Sequence, residues 1–152
     1  MNYACEAAIG AVSGLRSFTG PAIIAEASRR KRLNLKSTPL AWLSSERAVT
    51  ISAVLAGAEL IADKLPFAPD RTDAPGLVAR FVSGALCGMA VAGKCKRGER
   101  VMSGIVGGAA AIAAAYAGYQ YRKHVKLPPI VAGLLEDAVA AGAGLAIVSR
   151  LC

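Results

Sequence analysis

Apolar and small residues run along this chain in five long stretches, at about 3–28, 48–63, 76–93, 101–121 and 130–149, parted by short polar segments. Only Val101 to Tyr121 is free of charge throughout, and its 21 residues make a helix of about 30 Å, the thickness of a bilayer's hydrocarbon core. It closes on Tyr116, Tyr119 and Tyr121 followed by Arg122, and aromatics followed by a cation mark a membrane boundary. The other four stretches carry one to three charges each. A soluble bundle would need a polar outer face repeating every 3.6 residues, but most of these stretches are apolar or small on every side. The pattern predicts a single integral membrane domain over 1–152, all-α, a polytopic helix bundle of about five spans.

The connections fit that reading. Leu40-Ala41-Trp42-Leu43 suits a short amphipathic segment lying in the interface with Trp42 as anchor. Leu65 to Pro75 holds Pro66, Pro69 and Pro75, so it cannot be helical throughout and predicts a tight, rigid hairpin loop. Glu46-Arg47-Ala48-Val49, Leu65-Pro66 and Gly76-Leu77 recur in order as Glu99-Arg100-Val101-Met102, Leu127-Pro128 and Gly133-Leu134, which predicts an internal helical-hairpin repeat. In that alignment Arg80 falls opposite Asp137.

Composition sharpens the picture. Alanine (32) and glycine (16) make up about a third of the chain against only 8 aromatics, so helices must pack through small side chains, as they do in lipid. Gly10/Gly14, Gly84/Gly88, Gly104/Gly108 and Ala53/Gly57 are small pairs four apart that let backbones approach.

The formal charge of +8 would suit a nucleic-acid binder, but the cations sit in blocks between apolar stretches with no stacking aromatics among them. Arg29-Arg30-Lys31-Arg32 with Lys36, then Lys94, Lys96 and Arg97, then Arg122, Lys123 and Lys126 read as loops attracted to anionic lipid headgroups, with the bilayer and not nucleic acid as partner. The positive-inside rule places the first and third loops in the cytoplasm and the N-terminus outside, in the inner (plasma) membrane. The basic fourth loop contradicts this, which leaves open a broken or re-entrant first segment.

Cys5, Cys87, Cys95 and Cys152 form no CxxC pair and have no histidine at ligand spacing, so free thiols are expected and no metal or cofactor. The first segment lacks a basic leader and carries Glu6 and Arg16, so it is expected to remain in the mature protein. No nucleophile–base pattern is visible, and no catalytic residues or enzyme activity are expected.

Chemistry, if any, rests on the span charges Arg16, Glu59, Asp63, Arg80, Glu136 and Asp137. Each costs about 2.5–3.5 kcal/mol near the centre of a membrane helix, so they should face inward and pair. Glu59 and Asp63 share one helix face, and Arg16 or Arg80 set between them and Glu136/Asp137 makes a buried network. Pro21, preceded by Gly20, breaks the first segment, either exposing N–H groups that can hold an anion or making a kink satisfied by Ser17 and Thr19.

The motifs Gly14-Leu-Arg-Ser-Phe-Thr-Gly-Pro-Ala22, Glu59-Leu-Ile-Ala-Asp63-Lys-Leu-Pro-Phe-Ala-Pro69-Asp-Arg71 and Leu135-Glu-Asp137-Ala resemble those of the uncharacterised family of small bacterial membrane proteins known as domain of unknown function 4126. The resemblance covers nearly the whole chain and implies an integral membrane protein without assigning an activity. Two functions remain open: a transporter or channel for a small solute or ion, whose six charges line a water-filled cavity, and a scaffold, whose charges pair in a dry core. A homo-oligomer is a further expectation. The protein is expected to stay with membranes through alkaline carbonate extraction; recovery in the soluble fraction without detergent would refute the membrane reading.

Overall fold

The computed structural model describes residues 3–36, 38–62, 73–93, 95–124 and 128–151. These form α1 (Tyr3–Leu15), α2 (Thr19–Arg29), a short 3₁₀ helix (Ala41–Ser44), α3 (Glu46–Ala62), α4 (Ala74–Ala92), α5 (Arg97–His124) and α6 (Pro129–Leu151), with no strand among the described residues. Local signals set several of the ends. The Ser45 hydroxyl accepts the Ala48 N–H at the start of α3, and Glu99 reaches back to the Lys96 N–H at the start of α5. Gly93 closes α4 at φ 62°, where a side chain would be strained.

Three helices are long and apolar enough to cross a membrane: Ala74–Ala92, Arg97–His124 and Ile130–Ser149. Their outer faces, and that of α3, expose Val54, Ile61, Val78, Val101, Leu134, Val139 and Leu145, while serines, glycines and charges turn inward. That distribution suits lipid, and the chain is a multi-pass membrane protein.

The centre of the bundle is a three-helix seam of small residues. Gly10 and Gly14 of α1 lie on the backbone of Gly107 and Ala111 in α5, while Gly84 and Gly88 of α4 lie on Gly107, Ala111 and Ser103. These registers run α1 parallel to α5 and α4 antiparallel to it. A Cβ at Gly10, Gly14, Gly84, Gly88 or Gly107 would be driven into a neighbouring backbone carbonyl. The expected Gly104/Gly108 pair sits beside the true seam, where a Cβ would first meet the side chains of Met89 and Phe81, with the Ala85 carbonyl further off. The seam on α5 is Ser103, Gly107 and Ala111, one position out of phase with that expectation. Nothing lies near Gly57, so the Ala53/Gly57 pair packs on no described neighbour.

The first apolar stretch is two short helices and not one long one. Its two helices fold back on each other: Ser13 abuts Gly20, Val12 and Ile23 both meet Gly144 of α6, and Ile9 and Ile24 share one buried cluster with Leu35, Leu40, Leu43, Cys87 and Ala90. The chain therefore enters beside α4 and α5, turns at Arg16–Phe18 near their middle, and returns to the side it came from. The broken or re-entrant first segment left open by the sequence is seen as a broken one whose two halves fold back on each other. The break itself has a local cause, because Gly20 admits Ser13 and Cys87 against the backbone and Pro21 lacks the N–H that would continue α1 through the turn.

The hairpin puts the N-terminus, the basic Arg29–Arg32 block and the α4–α5 connection at one end of the bundle. There Leu40 and Leu43 turn inward while Trp42 stands 56% exposed, as an interfacial anchor should. At the surface end of α2, hydrogen bonds from Arg29 and then Arg30 hold the Glu26 carboxyl down at about 2, so it stays ionised and offsets part of the block. The expected Pro-rich turn is outside the described residues except for its last three, Asp73 to Pro75, which open α4.

The closely packed pairs are α4 with α5 and α1 with α5; α3 leans on α2 and the 3₁₀ helix, and α5 touches α6 only lightly. The hairpins of the expected repeat are thus not the units that build the core. Gly84→Leu or Gly107→Leu should lower the melting temperature in detergent sharply, since overpacking at a backbone crossing costs about 1–3 kcal/mol or more, whereas Gly57→Leu should leave it unchanged. Equal melting for all three variants would show that the seam is not packed in this way.

Candidate functional site: the hairpin turn and its charges

The turn of the re-entrant hairpin leaves backbone groups inside an apolar medium, where each unsatisfied one costs several kcal/mol. Glu59 of α3 meets this need. Its Oε1 accepts the Ser17 N–H at 2.8 Å and its Oε2 accepts the Phe18 N–H at 2.9 Å. A carboxylate bridging the two N–H groups that lead into α2 also sits at the positive end of that helix. On the far side, the Ser83 hydroxyl of α4 donates to the Ser17 carbonyl. The anion slot expected at the broken segment therefore exists, and it is filled by the protein's own side chain.

Arg16 sits in the same turn, 1% exposed, and its Nη2 forms an ion pair with Asp137 Oδ1 of α6. The turn is thus held from α3, α4 and α6 by one carboxylate, one hydroxyl and one ion pair. The partner that the repeat alignment assigns to Arg80 is the partner of Arg16. Alignment of the two hairpins leaves out the first segment, whose fold-back is what carries a cation to α6. Arg80 itself is buried on α4, at 6% exposure.

Glu136 makes a different pair. Arg122 at the end of α5 donates to its Oε2 from Nη2 at 2.7 Å and from Nε at 3.0 Å. The sequence reading groups Arg122 with the loop cations, whereas it lies in the last turn of α5 and pairs with α6. Glu6, which in the sequence only interrupts an apolar stretch, is almost wholly buried, and its Oε2 has no hydrogen-bond partner among the described residues.

The structure thus brings Arg16, Glu59 and Asp137 to one turn and places Glu136 with Arg122 one helix face away. Asp63 lies outside the described residues. Cys5, Cys87 and Cys95 are free thiols, and Cys87 is buried, accepting a hydrogen bond from the Ser13 hydroxyl at 3.3 Å. Among the described residues no three His, Cys, Asp or Glu side chains converge as a metal site would require.

Three cavities open between the helices: about 570 Å³ between α3 and α4, 350 Å³ between α5 and α6, and 310 Å³ among α2, α3 and α6. Arg16, Glu59, Arg80 and Asp137 line none of them, and Glu136 lines the second.

The family model described as "Domain of unknown function (DUF4126)" matches residues 4–149. No curated protein and no solved structure matches the chain.

The paired arrangement sets an expected outcome. Arg16→Ala should destabilise the detergent-solubilised protein by about 3–5 kcal/mol, because it strands Asp137, and Arg16→Ala with Asp137→Ala should recover part of that loss. Arg80→Ala with Asp137→Ala should show no such recovery. Additive losses for the Arg16–Asp137 cycle in thermal melts would mean that the two side chains do not act on each other.

Proposed function

Since the chain belongs to the family of the domain of unknown function DUF4126, whose description carries no activity over to it, we propose that this multi-pass membrane protein is a scaffold whose intramembrane charges fix a re-entrant hairpin in place. The observation that carries this reading is the mutual pairing of those charges: Glu59 on the turn's N–H groups, Arg16 on Asp137 and Arg122 on Glu136. Groups already satisfied inside the bundle have little left to offer a passing solute. What remains for partners is the outside, an apolar belt with a strongly basic end.

In this reading the basic end, with Arg29–Arg32 and Arg97, faces the cytoplasm across the inner membrane, as the positive-inside rule favours. The hairpin then puts the N-terminus on that side too. The cations of the opposite end count for less, because Arg122 is drawn into the bundle by Glu136 and offset there. The five expected spans become a hairpin plus the helices α3 to α6. No catalytic step is assigned.

A second reading, binding or passage of a small polar or charged solute at Arg16, Glu59, Asp63, Arg80, Glu136 and Asp137, is favoured by one observation. Glu136 lies on the 350 Å³ cavity between α5 and α6, beside Asp137 in sequence. A carboxylate exchanging its arginine for a proton or cation could work there.

The two readings part in proteoliposomes. The scaffold reading expects proton and small-ion flux no greater than in protein-free vesicles, and an Arg16→Met/Asp137→Leu variant that keeps its melting temperature. Flux above background that Glu136→Gln abolishes while the fold persists would replace it with the transport reading.

A further inference from the structure

The 570 Å³ cavity is a groove that lies open to the membrane. α3 packs on α2 and the 3₁₀ helix and scarcely touches α4, which leaves a gap whose walls are Ile51 and Leu55 on one side and Val82 and Leu86 on the other. Its floor is the hairpin, with Phe18 and Pro21 at the deep end. Ile51, Leu55 and Val82 are themselves exposed, so the groove opens sideways towards lipid.

The two ends differ in chemistry. The deep end reaches the hairpin turn, where the Ser83 and Ser17 groups are spent on each other. The surface end carries Trp42, Ser45 and Arg47. Arg47 is exposed and forms no ion pair with any described residue, and it stands at the basic end of the bundle beside the interfacial Trp42. From Arg47 to Leu55 is eight residues of helix, about 12 Å, most of the roughly 15 Å half-thickness of a hydrocarbon core. An apolar slot of that depth, open to lipid and topped by an uncompensated guanidinium at headgroup level, has the polarity of one leaflet of an anionic phospholipid.

We propose that the α3–α4 groove is a binding site for one anionic phospholipid, with an acyl chain between Ile51/Leu55 and Val82/Leu86 and the phosphate on Arg47. The site rests on the membrane reading and not on the scaffold role, so it stands or falls separately from the flux experiment. Trp42 is the only tryptophan of the chain and lines the groove, so it reports occupancy without a label.

The test uses the full chain in phosphatidylcholine vesicles containing a minor fraction of lipid brominated along its acyl chains, either phosphatidylglycerol or phosphatidylcholine. Brominated phosphatidylglycerol should associate with Trp42 about fivefold more strongly than its zwitterionic counterpart, the ratio that one well-placed cation supplies. Arg47→Gln should bring that ratio to about one. Ala79→Phe, at an exposed position on the groove wall, should fill the slot and lower quenching by both lipids. The two variants touch opposite ends of the site at exposed positions, so each decides independently. Equal quenching by the two lipids in the unaltered protein overturns the proposal. So does a preference that survives either variant, which would mark mere attraction to the basic end, and so does weak quenching by both lipids, as a second copy seated in the groove would produce.

Discussion

A turn of backbone inside hydrocarbon has nowhere to send its polar groups except to the protein itself, and the arrangement of this molecule follows from that demand. The turn at Arg16–Phe18 is satisfied from three directions: by Glu59 on two N–H groups, by Ser83 on a carbonyl and by Asp137 on the arginine that the turn brings along. Each of these three side chains belongs to a different helix. The hairpin is therefore both the most expensive element in the fold and the one that specifies where α3, α4 and α6 must stand. Charges near mid-membrane, costly alone, become positional devices once each is matched.

A hairpin can occupy the middle of the bundle only if it is thin. Gly10 and Gly14 let α1 lie directly on the backbone of α5, Gly20 lets α2 close on Ser13 and Cys87, and Gly144 of α6 admits Ile23. Lipid supplies no hydrophobic drive to push helices together, so van der Waals contact across these close crossings holds them. The same economy explains the inverted surface, with Val54, Ile61, Val78 and Leu145 outside and serines and charges within. It also explains why α3 is free to stand off from α4: its anchoring comes from Glu59 and the 3₁₀ helix, not from a seam of its own. The lipid-facing groove is a consequence of that loose flank.

Much of this was legible in the chain. The all-helical membrane class and the inward turn of Arg16, Arg80 and Glu136 follow from charge placement against apolar runs. The small-residue pairs were legible in kind, but the α5 seam was read one position out of phase. On a helix this rich in alanine and glycine, adjacent faces present nearly the same size pattern, and only the neighbours reveal which face is used.

The sequence by itself determined the medium and the list of groups that must be satisfied within it. Hydropathy and residue size are local properties, and no fold of this chain could place Arg16 or Glu59 near mid-membrane without a partner. Tertiary structure alone decided who pairs with whom. That Asp137 meets Arg16, that Arg122 folds back to Glu136, and that the first stretch doubles back on itself all depend on the direction the chain takes after residue 16. A Gly-Pro break permits either a kink or a reversal, and both leave the same residues apolar. The reversal prevails here because three side chains, distant in sequence, satisfy the turn's polar groups together, a cooperative gain that no residue spacing records.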